Sequence, residues 1–230
     1  MVSDVHLEGD GDRQRAFVGW LDALEADELY LVGDVFHHWW GFRDGTVFDA
    51  YADVCRALER ARARLRRLVV IPGNHDFHLG PFFTWTLDAE IHPAHRVELD
   101  GVPFWIEHGD AADDSLGYAV AKRTLRSRPF DRVVETLGPR GAWPLLRGLA
   151  GASAARRSPP DDLVAAQKAL ADRRIAEGAR VVVMGHSHVP ADEERGAGRY
   201  INLGDWVEHR TWLEIEDGVP RLVGFPSPAV

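Results

Sequence analysis

Short apolar runs rich in β-branched residues recur along this chain, and five of them lead into a tight cluster of Gly, Asp, Asn and His. The clusters are Ser3-Asp4-Val5-His6, Gly33-Asp34, Gly73-Asn74-His75-Asp76, His108-Gly109-Asp110 and Gly185-His186-Ser187-His188. Strands are predicted over Glu28 to Val32, Leu68 to Ile71, Val102 to Glu107, Val181 to Met184, Tyr200 to Leu203, Trp212 to Ile215 and Arg221 to Phe225. Between them, Phe17, Trp20, Leu21 and Leu24 fall at i, i+3, i+4 and i+7, and Val47, Tyr51, Val54, Cys55 and Leu58 repeat the stripe. Both segments therefore read as amphipathic helices packed on a sheet, and a third helix is expected over Asp161 to Ile175. Such alternation belongs to an α/β protein. Because the closing part opens with helices and ends with strands, a mixed sheet, or two sheets face to face, fits better than a simple doubly wound one. Met1-Val2-Ser3 leaves only a stub of the first strand, so either that strand is short or the start lies upstream.

With 230 residues, the chain is expected to form one domain, 1–230, whose core needs no staple. The 27 Lys and Arg against 36 Asp and Glu leave a net charge of −9, which argues against a nucleic-acid partner. A single cysteine, Cys55, excludes an intrachain disulfide and a thiolate metal cluster. No apolar run approaches the ~20 residues of a membrane span, and Met1-Val2-Ser3-Asp4 lacks the look of a signal peptide, so a cytoplasmic location is expected. Residues 116–160 read as an inserted helical cap or lid. Leu116, Tyr118, Val120, Leu125, Phe130, Val133, Val134, Leu137, Trp143, Leu145, Leu146 and Leu149 would make one side apolar, and Lys122, Arg123, Arg126, Arg128 and Arg132 would make the other basic. Ala150 to Asp162, with its Gly, Ser and Pro-Pro, is expected to be a mobile connection.

Functional groups in α/β sheets collect at the carboxyl ends of strands, so clusters distant in sequence can meet in one pocket. In an extended segment, side chains at i and i+2 point the same way, which lets Asp4 with His6, and His186 with His188, hold one ion. The set Asp4, His6, Asp34, Asn74, His108, His186 and His188 offers oxygen and imidazole nitrogen without sulfur, suited to Mn²⁺, Fe²⁺, Zn²⁺ or Mg²⁺. It is too large for one tetrahedral ion. Two ions sharing a carboxylate would use it fully, and such a pair serves in-line displacement at phosphorus.

In their order D-x-H, G-D, G-N-H-D, H and G-H-x-H, these motifs resemble the signature of the calcineurin-like metallophosphoesterases. The resemblance implies an αββα sandwich of two mixed sheets flanked by helices, with a helical cap insertion, and two divalent ions, manganese first among them. It implies that Asp4, His6, Asp34 and His188 hold one ion and Asp34, Asn74, His108 and His186 the other, with Asp34 bridging. His75 is then the general acid or transition-state stabiliser, and Asp76 fixes its orientation. Within that superfamily the chain is most similar to the UDP-2,3-diacylglucosamine pyrophosphatase family of lipid A synthesis. Leu31-Val32-Gly33-Asp34-Val35-Phe36 with a following Trp, Gly73-Asn74-His75-Asp76-Phe77, His108-Gly109-Asp110 with Asp113-Asp114, and Asn202-Leu203-Gly204-Asp205-Trp206 carry that likeness. It implies cleavage of a lipid-linked nucleotide to UMP and 2,3-diacylglucosamine 1-phosphate, with Asn74, Asp114, Tyr118, Lys122, Arg123 and Arg126 contacting substrate. It also implies peripheral contact of the cap with the inner membrane and no obligate protein partner. His37-His38 stand where members of that family carry acidic or aromatic residues.

Plainer readings accompany these. His92, His95 and His209 read as ordinary surface or core histidines, Asp10 and Asp12 as a surface turn, and Arg56 to Arg67 as a solvated helix face. Trp39-Trp40 suits core packing or a pocket wall, and His37-His38 suit pocket lining without ligation. The basic residues from Lys122 to Arg128 fit a solvated face or a phosphate contact equally. Two other functions stay open: hydrolysis of a soluble phosphomonoester, phosphodiester or nucleotide, and a non-catalytic interaction scaffold of the same fold.

Overall fold

A computed structural model of the chain describes residues 1–9, 11–113, 123–153 and 161–224. Its first half runs α1 (Gly11–Ala23), β1 (Glu28–Val32), α2 (Ala52–Arg62), β2 (Arg67–Ile71), β3 (Glu90–Ile91), β4 (Ala94–Leu99) and β5 (Val102–Glu107). The second half runs α3 (Arg128–Ser153), α4 (Asp161–Ala176), β6 (Val181–Met184), β7 (Ala191–Arg195), β8 (Gly198–Asn202), β9 (Thr211–Glu216) and β10 (Val219–Gly224).

β1 and β2 pair in parallel, Leu29 opposite Leu68 and Val32 opposite Ile71. Leu29, Leu31, Leu68 and Val70 join one core with Phe17, Leu21, Val54 and Leu58 of α1 and α2. Their neighbours Tyr30, Val32, Val69 and Ile71 join a second core with Phe104, Ile106, Val181 and Val183. A strand covered on both faces must be apolar at every position, which is why these runs stand out in the sequence. The chain start completes the first sheet. Val2 N–H donates to Tyr30 O at 3.0 Å and Val32 N–H to Val2 O at 2.8 Å, while Leu213 N–H donates to Met1 O at 2.8 Å. The stub thus joins β1 to the antiparallel pair β9–β10.

The other sheet has the order β4–β5–β6–β8–β7, with parallel and antiparallel pairs. Its outer face packs on α4 through Leu170, Ala171, Val182, Met184 and Tyr200. The result is two mixed layers face to face with helices outside, as the resemblance implies.

Three strands escape the sequence reading: β3, β4 and β7. β3 has two residues, and β4 and β7 are edge strands whose exposed sides carry charge, so neither shows a run of apolar residues. The insertion also differs from expectation. α3 continues through Ser153, into the stretch expected to be a mobile connection, and it breaks at Gly138 (φ 61°, ψ −179°), just before Pro139. Its apolar residues fall on two faces. Val134, Ala142 and Leu146 are buried and Phe130, Trp143 and Leu145 lie against the core, whereas Val133, Leu137 and Leu149 are exposed. The break restarts the helical period, so one continuous apolar face cannot form. Trp39 and Trp40 are core residues, each 2% exposed.

Candidate metal centre

At the carboxyl ends of these strands the backbone turns sharply. Asp4 (φ 50°), His6 (47°), Asp34 (53°), His186 (65°) and His188 (59°) all adopt left-handed backbone; among the described residues only four other non-glycine positions do so. Each such residue costs roughly 1–2 kcal/mol, so the five together rival a domain's net stability. Strain concentrated in this way marks a functional site. Gly73 and Gly185 allow the turns to close: a Cβ there would lie 2.0 Å from Asp34 Oδ1 and 2.3 Å from Asp4 Oδ2.

Two trios that contain a carboxylate result, Asp4 with His6 and His188, and Asp34 with His108 and His186, each with its ligating atoms within 4.8 Å of one another. His186 and His188 thus part between the trios instead of sharing an ion, because left-handed rather than extended backbone turns successive side chains apart. His6 Nε2 lies 3.0 Å from His188 Nε2, the spacing of two ligands roughly 90° apart on an ion about 2.1 Å from each. Asp4 Oδ1 is 3.7 Å from His6 Nε2 and 3.3 Å from His188 Nε2. Asp34 Oδ2 stands between the trios, 3.9 Å from His6 Nε2 and 3.5 Å from His108 Nε2. Asn74 Oδ1 is 3.3 Å from His108 Nε2.

The surrounding bonds orient these groups. His108 Nδ1 donates to Val32 O at 2.9 Å, leaving Nε2 for the cluster. Asp34 Oδ1 accepts from His75 N–H at 2.9 Å, and Asp4 Oδ2 from His186 N–H at 2.8 Å. Asp76, 2% exposed, accepts the N–H groups of Asp34 (3.0 Å), Val35 (2.8 Å) and Gly73 (2.8 Å). It therefore fixes both ligand loops rather than His75 itself, whose Nδ1 donates to His37 O at 2.8 Å.

Electrostatically the cluster calls for positive charge. Burial alone would push the Asp4 and Asp34 carboxyls up, but the neighbouring imidazoles, His108 foremost, hold both well below the carboxylate range. Against its own burial, His108 is pulled well above 6.5, chiefly by the Asp34 carboxylate. His188 is raised against burial by its contact with Asp4. Burial, with the charge of Asp34, pushes Asp76 up to about 6, and burial pushes His186 down to about 4.

The donors fit divalent ions. They are oxygen and imidazole nitrogen, Asp4 Oδ1 is wholly buried without a hydrogen-bond partner among the described residues, and the ion pairs of Asp4 and Asp34 there are to imidazoles only.

Sequence reading missed three supports. Gln167 of α4, wholly buried, donates to Gly185 O at 3.0 Å and Gly109 O at 3.4 Å. Asn202 donates to Gly185 O and to Ser187 Oγ, both at 2.9 Å. Asp205 Oδ2 lies 3.5 Å from His188 Nδ1. Asn202 and Asp205 belong to a motif noted above; Gln167 has no local signal. Of the expected substrate contacts, Arg123 is exposed, and Arg126 is exposed with its guanidinium 4.9 Å from the Phe77 ring centroid. Asp114, Tyr118 and Lys122 lie outside the described residues.

Over residues 1–190 the chain matches the calcineurin-like phosphoesterases. It belongs to that family and is a metal-dependent hydrolase of phosphoester or pyrophosphate bonds. Similar proteins include the UDP-2,3-diacylglucosamine hydrolase of Pseudomonas paraeruginosa (strain PA7), 33% identical over 98% of both chains. That of Pseudomonas fluorescens (strain SBW25) is 30% identical over 98% of this chain and 94% of its own length. Among solved structures, an archaeal phosphodiesterase has a TM-score of 0.49 at 15% identity, covering 97% of each chain.

Proposed function

We propose that the protein hydrolyses the pyrophosphate of UDP-2,3-diacylglucosamine, releasing UMP and 2,3-diacylglucosamine 1-phosphate. Asp4, His6, Asp34 and His188 would hold one divalent ion and Asp34, Asn74, His108 and His186 the other, with Mn²⁺ first among the ions, Fe²⁺, Zn²⁺ and Mg²⁺ included, that this oxygen-and-imidazole set accepts. When bound, such a pair supplies Lewis-acid polarisation of the phosphoryl group and a lowered pKa for the attacking water. Water oxygen bonds to one phosphorus, the P–O–P bridge breaks, and the departing phosphate takes up a proton. His75 is the donor: its Nδ1 is engaged by His37 O, which leaves Nε2 for proton transfer. Because the His75 N–H binds Asp34 Oδ1, acid and shared carboxylate keep a fixed separation.

The observation that carries the reaction is the place of Asp34 Oδ2 between His6 and His108. The substrate rests on relatives that share the chain from end to end. No helix among the described residues is long and apolar enough to cross a membrane, and the exposed Val133, Leu137 and Leu149 of α3 support peripheral contact with a lipid surface. A second reading is a soluble nucleotide or phosphodiester substrate: a cleft of about 450 Å³ lined by Arg43, His78, Pro81, Trp85, Arg126 and Arg128 offers cations for phosphate and a ring for a base, with or without a lipid attached. Incubation with UDP-2,3-diacylglucosamine and Mn²⁺ should release UMP in step with the lipid phosphate. Cleavage of an aryl phosphodiester without UMP release from the lipid overturns the first reading in favour of the second.

A further inference from the structure

The catalytic reading leaves one imidazole at the site without a task. His37 is half-buried and stacks on His75, with ring centroids 5.2 Å apart and planes inclined by 24°. Its centroid is 5.7 Å from that of His6, and His75 meets His6 edge-on at 5.1 Å. The three rings bring one nitrogen each within 4.8 Å of the others. An imidazole binds an ion through the lone pair of its neutral form. The His75 Nδ1–H is committed to His37 O, so the nitrogen His75 can offer is Nε2.

We propose that His6, His37 and His75 form a third ion position, made of imidazole alone, that takes Zn²⁺, Ni²⁺ or Cu²⁺ and silences turnover when filled. The inhibitory part rests on the assignment of His75 as proton donor. The two trios described above each contain a carboxylate, and hard ions such as Mn²⁺ and Mg²⁺ favour oxygen. A set of three nitrogens lacks it and selects the later transition metals. Three histidines with one open position are a sufficient protein set for zinc. His6 is common to this trio and to that of Asp4 and His188. A neutral imidazole has one lone pair, so zinc either bridges through His6 as the imidazolate, releasing the ring proton to solvent, or draws His6 away from the ion of Asp4 and His188. In both cases the added ion takes the lone pair of His75, and a nitrogen bound to an ion carries no proton to the leaving phosphate.

The test titrates Zn²⁺ into Mn²⁺-saturated protein, kept in excess Mn²⁺, for the native chain and for His37→Gln. Calorimetry follows binding, and the activity ratio with and without zinc on an aryl phosphodiester follows inhibition. Exchange into the two carboxylate-containing positions is common to both proteins, so the difference isolates His37. The native chain should bind zinc at least about tenfold more tightly than the variant and lose activity over the same range, with Ni²⁺ acting likewise and Mg²⁺ inert. A second measurement needs no variant: zinc, but not additional Mn²⁺, should protect His37 and His75 from diethyl pyrocarbonate, read by peptide mass. Equal zinc binding by the two proteins together with no protection overturns the site. Protection with undiminished turnover overturns the silencing and the proton-donor role of His75 it rests on. Neither result bears on whether UMP is released from the lipid.

Discussion

Each end of the sandwich carries a knot of histidines and acids, yet the two knots behave differently. At the amino ends of β1 and β2, Arg67 binds both oxygens of Glu90 and holds that carboxyl down to about 2. Tyr30 donates to Glu28 at 2.6 Å, and His92 and His95 stack at 4.3 Å beside them. That knot contains its own cation. At the carboxyl ends, Asp4 and Asp34 pair among the described residues only with imidazoles, which are weak sources of charge. The backbone is strained there and several histidine pKa values move apart. The presence of imidazoles beside carboxylates does not by itself distinguish the two ends. What separates them is whether a guanidinium already balances the carboxylates; where none does, an ion from solution is required.

That contrast can be broken most severely at the shared carboxylate. Asp34→Asn should abolish binding of both ions, measured by metal content, and lower turnover by at least roughly a thousandfold. His75→Ala should retain the ions and lower kcat by roughly 10²–10⁴-fold. Gln167→Ala, which frees Gly185 and Gly109 without touching an ion, should weaken metal affinity roughly 10–100-fold, as loss of an outer-shell bond does. Acid should act in the same direction. His108 and His188 bind protons more tightly than an ordinary histidine, so an ion must displace those protons. Affinity should fall as the pH falls, from above 6.5 downward, by up to about tenfold per pH unit for each proton displaced; a flat profile would contradict this. Arg67→Ala, at the opposite end, should leave metal content unchanged and cost about 1 kcal/mol or less in denaturant unfolding, because its Glu90 partner is exposed.

The strands covered on both faces were legible because they must be apolar throughout, as in Leu68-Val69-Val70-Ile71. The clusters that follow them were legible because Gly, Asp, Asn and His at fixed spacing have few other uses at strand ends. β4 and β7 were hidden by charged solvent faces. The two apolar faces of α3 were hidden because the break at Gly138 changes the phase of a pattern read as continuous. Gln167 was hidden because a buried amide bonded to carbonyls distant in sequence looks, in sequence, like any polar helix residue.

By itself, the amino-acid sequence determined which chemistry is present, since ligand types are properties of short segments; the i, i+2 spacing did not fix which ion each ligand faces, because left-handed backbone sends His186 and His188 to different trios. The resemblance already implied a shared Asp34, to which the tertiary structure adds the distances; only the tertiary structure decided that Asp76 braces the loops and that His37 stacks on His75. Those relations join residues 41 or 42 positions apart, or more, in several cases. They depend on how two sheets stack and where each chain segment turns, which no local pattern encodes.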